Sequence, residues 1–380
     1  MRVAEQIQRT NTWRYFCRTF SKITTPGSHN ISQLTDTSSR STVFISHLIP
    51  LSMAVPTFGL HNAFKASVIL FPGQGSQCVG MISKNLCPKA RALYDIAHQV
   101  LGYDLLSLSN QGPEDELNRT VHSQPAVFVS SLAAVEKLAE MSIGAVEKCV
   151  ATAGFSVGEF AALVLAQAMD FTDALRLIKL RAEVTQILSD SVPSGMMTTI
   201  FSNDGKIEEA CRLAREYCVR SGLDQEESVC NVSNHLFPHG KVIGGHQKAL
   251  EFLEHNGKDF GIKRMKRLAV SGAFHTQLMK PAREDLRKAL DKIAIRDPKI
   301  KVYSNLDGQV YQNADHIRKS IERHVYKPVM WEQTIQQLYK ENKVEGKLPI
   351  TFECGPQSNI TTMLGMVNLK AKKLSYNINP

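Results

Sequence analysis

No C-x-x-C pair and no metal-ligand spacing occurs among the eight cysteines, Cys17, Cys78, Cys87, Cys149, Cys211, Cys218, Cys230 and Cys354. That sets aside zinc fingers and dithiol redox motifs and leaves reduced, mostly buried thiols, as in a mitochondrial matrix. No arginine-rich tract interleaved with aromatics is present, which makes nucleic acid a poor candidate partner. No apolar h-region follows the first arginine, against a secretory signal. The stretch Val43 to Leu60 is broken by Ser46, His47, Pro50, Ser52 and Pro56 and would make a poor membrane span. No internal repeat is evident, which excludes a solenoid.

The composition that remains, 43% hydrophobic and 21% charged over 380 residues, is that of a globular protein with two domains or one large α/β domain carrying an insert. Residues 1–63 differ from the rest. Arg2, Arg9, Arg14, Arg18, Lys22 and Arg40 face only Glu5 and Asp36 amid many Ser and Thr, the build of an organelle transit peptide or a disordered tail. Six basic against two acidic side chains there means that, of the formal charge of +9, the rest of the chain keeps +5. A basic body points to acidic or phosphorylated partners.

Ordered sequence is expected from Ser67-Val68-Ile69-Leu70-Phe71, a short apolar strand running into Pro72-Gly73-Gln74-Gly75-Ser76-Gln77. This is not a dinucleotide fingerprint, because Cys78 occupies the place of the third glycine. Helical patterning follows to Leu138, then a strand near Cys149 to Ala151, a helix from Val157, and a helix over 172–189. The pattern over 195–268 predicts β-α-β-β-α-β: strands at 197–201, 228–232, 241–244 and 263–268, helices at 206–220 and 247–255. That order is the split βαβ, or ferredoxin-like, arrangement of an inserted subdomain. α/β alternation then resumes, with a helix over 279–293, a strand over 301–305, helices over 315–324 and 331–339, a strand over 350–353 and a helix over 360–366.

Gly154-Phe155-Ser156-Val157-Gly158 places a serine at the G-x-S-x-G turn, where a buried strand bends into a helix and exposes a hydroxyl nucleophile. Such a serine needs a base, and loops or helix ends offer His122, His235, His239, His246, His275 and His324. His275 stands out, in the loop joining the insert to the next helix. Arg181 reads either as a snorkelling cation or, turned inward, as a bidentate carboxylate clamp. Gln74 reads as loop filler or as an oxyanion donor beside Val157. Gln124 and Asn234 stay ambiguous.

Taken in order, Phe71 to Gln77, Gln124-Pro125-Ala126, Gly154 to Glu159, Arg181, Gly245-His246, Gly272 to His275 and Phe352 to Pro356 resemble the malonyl-CoA:acyl carrier protein transacylases. With the basic N-terminal segment, the chain resembles the mitochondrial form. The resemblance covers residues 66–368. It implies an α/β-hydrolase-like core over 64–194 and 269–380 with the ferredoxin-like subdomain at 195–268. It also implies roles: Ser156 as nucleophile, His275 as general base and acid, and backbone N–H groups of Gln74 and Val157 as oxyanion donors. Arg181 would clamp the malonyl carboxylate, with Gln124, Asn234 and Phe274 around the substrate. The base would be oriented by a main-chain carbonyl, here that of His324, where the family has glutamine.

The reaction implied is malonyl transfer from malonyl-CoA to the phosphopantetheine thiol of acyl carrier protein, for mitochondrial fatty acid synthesis. No cofactor or metal is expected; malonyl-CoA is the substrate, and the protein is expected to be a monomer in the matrix. Lys263, Arg264, Lys266 and Arg267 form a candidate stripe for the acidic carrier protein, or a charged strand edge. The alternative activity is a serine esterase or thioesterase with water as acceptor, which calls for an Asp or Glu behind the histidine; a silent scaffold is a third reading. Three departures from the family stand out: Phe155 and Val157 flank the serine where bacterial members have His and Leu, and Gln357 replaces a glycine.

Overall fold

The computed structural model describes residues 64–380, and the transit-peptide reading of 1–63 lies outside the described residues. The first strand, β1 (Ser67–Phe71), is apolar and wholly buried, as expected of a parallel strand covered on both faces. It sits at the centre of a five-stranded parallel sheet of order β7-β2-β1-β8-β9, with β2 at Cys149–Gly154, β7 at Lys301–Val302, β8 at Ile350–Cys354 and β9 at Ser375–Ile378. Val68, Leu70, Ala151 and Ala153 pack there against Tyr303, Trp331, Ile335 and Leu364.

Register places the carboxyl ends of β1 and β2 side by side, Phe71 opposite Gly154. The two turns that follow therefore lie against each other, at the end of the sheet where α/β proteins build their sites. The approach is close. A Cβ on Gly158 would lie 2.5 Å from the Pro72 carbonyl oxygen, and one on Gly73 would lie 2.6 Å from that of Phe155.

A second, antiparallel sheet has four strands in the order β4-β5-β3-β6, with β3 at Ser194–Phe201, β4 at Cys230–Phe237, β5 at Gly240–His246 and β6 at Ile262–Arg267. Helices Ile207–Arg220 and Gln247–Asn256 cover one face around Met197, Cys211, Ile243 and Leu250. The other face meets the His275 loop: a Cβ on Gly244 would come within 2.8 Å of Thr276 Cγ2 and 3.6 Å of Ala273 Cβ.

The chain departs from the sequence expectations in four places. β4 runs on to Phe237, because register shifts beside Val232–Asn234 and His235–Phe237 break the alternation that marks a strand. β7 stops at Val302, since Ser304 N–H bonds to Gln309 and Asn305 is drawn toward the Ser156 amide. The segment read as one helix from 279 is a 3-10 turn, Gln277–Ala282, then a helix, Arg283–Leu290; Pro281 has no N–H to donate. β9, with two exposed residues of four, has no counterpart among the expected strands. Among the described residues the cysteines are free, five buried and two half-buried.

Gly154 is the tightest point of the fold and leaves no room for a methyl group: a Cβ there would overlap the carbonyl of Gly158. Gly154→Ala is expected to destabilise the protein by about 3 kcal/mol or more, read as a large fall in the thermal unfolding midpoint; an unchanged midpoint would contradict this packing.

Candidate active site

Ser156 closes the turn between β2 and the helix Gly158–Leu165 with φ 51°, a left-handed conformation costly for a residue with a side chain. Asn305 holds it there. Its Oδ1 accepts from Ser156 N–H at 2.7 Å while its Nδ2 donates to the Gly154 carbonyl at 2.7 Å. The serine hydroxyl is thereby aimed at the His275 loop, and Oγ lies 2.7 Å from His275 Nε2.

His275, also at positive φ (61°), is fixed from behind by main chain. Its Nδ1 lies 2.9 Å from the His324 carbonyl oxygen and 3.2 Å from that of Lys327, and its own N–H donates to Val325 at 2.9 Å. Carbonyls only accept, so Nδ1 carries the proton and Nε2 presents a lone pair to the serine. Burial drives the imidazole pKa well below 6.5, with the neighbouring His324 and Arg181 acting the same way and the carbonyls opposing. A neutral base is what proton removal from Ser156 requires.

Arg181 lies on the helix Phe171–Ser191 with 2% of its surface exposed. Its Nη1 donates to Gln124 Oε1 at 2.5 Å and its Nη2 to Ser156 Oγ at 3.3 Å. Among the described residues no carboxylate stands within ion-pair distance of it, and its Nε–H has no acceptor. Burial lowers its pKa to about 10, against the attraction of Glu159, so it remains a cation at neutral pH. A buried cation lacking a direct counter-ion beside a nucleophile suits a substrate that brings its own carboxylate.

Gln74 sits at the rim of this group, Oε1 receiving Gln124 Nε2 at 3.4 Å and Nε2 reaching Thr120 Oγ1 at 3.4 Å. Among the described residues, neither its backbone N–H nor that of Val157 has a protein acceptor. Phe274 is buried directly before the base. Asn234 lies on β4, where its Oδ1 accepts from Ser233 and its backbone bridges to Val329, beside the segment that holds His275. Phe155 fills apolar space, its ring 5.5 Å from that of Trp331. Gln357 adopts φ 63°, the conformation expected where a glycine is replaced.

Three residues escaped the sequence reading: Asn305, Glu159 and Tyr311. Glu159 is fully buried one residue past the motif, taking hydrogen bonds from Tyr311 and from Asn305 N–H, and lying 3.1 Å from His324 Nε2. Its position after Gly158, in the first turn of a wholly buried helix, was the one local signal. Arg267, by contrast, leaves the proposed basic stripe, because Glu254 and Gln247 already hold it.

Residues 68–346 match the acyl transferase domain family. The chain is 50% identical over 311 residues to the mitochondrial malonyl-CoA-acyl carrier protein transacylase of Homo sapiens, covering 81% of this chain and 79% of that protein. The crystal structure of an acyl carrier protein S-malonyltransferase from Vibrio cholerae superposes with a TM-score of 0.72 at 30% identity, over 82% of this chain and 96% of that one. A structure of a type II PKS acyl-carrier protein in complex with its malonyl-transacylase gives 0.71 at 32% identity, over 83% and 96%.

Because the His275 pKa lies below 6.5, the base stays neutral as pH falls through that value. Labelling of Ser156 by a fluorophosphonate should therefore lose half its rate only below pH 6.5, and a midpoint at or above 6.5 would contradict this environment.

Proposed function

The chain belongs to the acyl transferase family as a mitochondrial malonyl-CoA-acyl carrier protein transacylase, and on that premise we infer how its residues divide the reaction. The observation that carries the reading is the contact of one buried serine oxygen with both a neutral histidine and a cation that, among the described residues, lacks a carboxylate partner.

Ser156 Oγ passes its proton to His275 Nε2 as it attacks the malonyl thioester carbon, and the carbonyl electrons move onto oxygen. The N–H groups of Gln74 and Val157 receive that oxyanion; loss of one such donor typically costs about 3 kcal/mol. The intermediate collapses by breaking the carbon–sulfur bond, and His275 returns the proton to sulfur as coenzyme A leaves. The carrier protein's phosphopantetheine thiol then runs the steps in reverse. So written, the exchange needs no cofactor or metal.

Arg181 binds the malonyl carboxylate, with Gln124 steadying the guanidinium. Phe274 leaves little room for an α-methyl branch, and Asn234 supports the segment behind the base. A thiolate leaves more readily than an amine, so carbonyl oxygens suffice to orient His275. The hydrolase alternative calls for an acidic residue on the histidine, where carbonyls of His324 and Lys327 stand instead.

We read the core as α/β-hydrolase-like and the 195–268 segment as ferredoxin-like, a reading its strand order β4-β5-β3-β6 supports. The protein acts as a monomer in the matrix. The carrier protein docks on β6, an edge strand. Pairing of Arg264 with Ile200 and of Lys266 with Thr198 puts both cations on the face that meets the His275 loop.

Two measurements test this. Intact-mass analysis after mixing with malonyl-CoA should show a malonyl adduct that Ser156→Ala abolishes and carrier protein discharges; rapid hydrolysis without adduct would favour the esterase. Reversing charge at Arg264 and Lys266 together should raise KM for carrier protein about tenfold at low salt, with malonyl loading spared. An unchanged KM would remove β6 as the docking edge.

A further inference from the structure

Behind the base lies a buried polar cluster that the transfer steps do not use. His324, at the end of the helix Ala314–His324, gives its carbonyl to His275 and its ring to Glu159, Nε2 to Oε2 at 3.1 Å. Both side chains are almost wholly buried, at 2% and 0% exposure. The two histidine rings meet edge to face with centroids 5.2 Å apart. Glu159 also receives Tyr311 Oη–H and Asn305 N–H, and Asn305 is the residue that holds the Ser156 amide.

The partners assign the protons. His324 Nε2 faces two acceptors, Glu159 Oε2 and, at 3.4 Å, Asn305 Oδ1, while its Nδ1 is buried and, among the described residues, has no partner. A protonated Nδ1 would be an unmet buried donor, costlier than a bare lone pair. His324 is therefore the neutral Nε2–H tautomer, and Glu159 faces three donors, a set that satisfies its carboxylate once it ionises.

We propose that Glu159 is a positioning residue for the transfer reaction: through His324 it fixes the carbonyl that orients His275, through Asn305 it fixes Ser156, and it supplies the buried negative charge that offsets the imidazolium formed at each proton transfer. The proposal rests on His275 being the base. Among the described residues, the titratable and charged groups around Glu159 are Tyr311, His324, Arg181 and Asp307, and around His275 they are His324 and Arg181. Arg181 opposes an imidazolium, which leaves Glu159 as the anion of this buried cluster. Burial raises the Glu159 pKa to about 8 against the pull of its donors and Arg181, so its charge develops as pH rises through that value.

The test is the single-turnover rate of Ser156 acylation by malonyl-CoA as a function of pH. Wild type should show a rise in rate centred near pH 8. Glu159→Gln, which keeps the shape but not the charge, should slow acylation about tenfold and erase that rise. His324→Leu keeps the carbonyl but leaves Glu159 short of a donor and should slow acylation comparably, with His324→Gln, whose amide can donate, recovering most of the loss. The His324 pair keeps the test usable if Glu159→Gln does not fold. Wild-type rates and profile in Glu159→Gln, or equal rates in His324→Leu and His324→Gln, would overturn the proposal. His275→Ala is the separate control: if it acylates like wild type the base assignment falls, and if it is inactive while the other variants are normal only the positioning role falls.

Discussion

The buried charge of Arg181 is the constraint to which the rest of the site answers. A guanidinium with 2% exposure and, among the described residues, no ion-pair partner is costly to hold, and each neighbour is arranged around that cost. Gln124 takes one arm through a carbonyl oxygen and Ser156 the other through its hydroxyl. Glu159 attracts it without touching it. A touching carboxylate would satisfy the arginine permanently, whereas Glu159, held one layer away, leaves it unsaturated. Burial, His324 and the same cation together keep His275 neutral.

Close backbone packing and the Asn305 side chain together set the geometry at Ser156. The turns after β1 and β2 approach so closely that Gly73, Gly154 and Gly158 admit no Cβ, and Ser156 adopts its left-handed conformation in the second of these turns. The contact joins segments far apart in sequence, but its parts were legible: the apolar run of β1, the glycine loop after it and the serine turn follow from residue type and spacing alone. The strands and helices over 195–268 were legible too, since they alternate with short connections.

What escaped the sequence depends on contacts between distant segments. Asn305 lies 149 positions from the serine amide it binds, and Tyr311 lies 152 from Glu159. In sequence, Asn305 reads as the end of a strand, and only the early release of β7 shows why the chain leaves the sheet there. Arg181 kept two readings, because helical periodicity can place a residue on a face but cannot say whether a charge on that face finds a partner, and Gln74 and Gln124 stayed open for want of a known neighbour. Phe155 was unexplained beside the nucleophile until Trp331 supplied the apolar wall it packs against. β9 completes the sheet edge with only four residues, two of them exposed, so it offers neither length nor apolar alternation to read.

Position 324 separates the duty of a main-chain carbonyl from that of the side chain that carries it. Orientation of His275 comes from a carbonyl, which any residue provides, so the side chain at 324 is released from that duty. It is not thereby released from its surroundings, because the ring points into a cluster with no water-facing exit. A residue there must offer a donor to Glu159 or strand a buried carboxylate, and both glutamine and the Nε2–H tautomer of histidine can do so. The requirement at this position is thus a donor of suitable reach rather than a particular amino acid, and the histidine meets it while leaving Nδ1 as a bare lone pair. Protonating that ring would set a second cation beside Arg181 and His275, which is why burial and Arg181 together hold His324 far below its ordinary titration range.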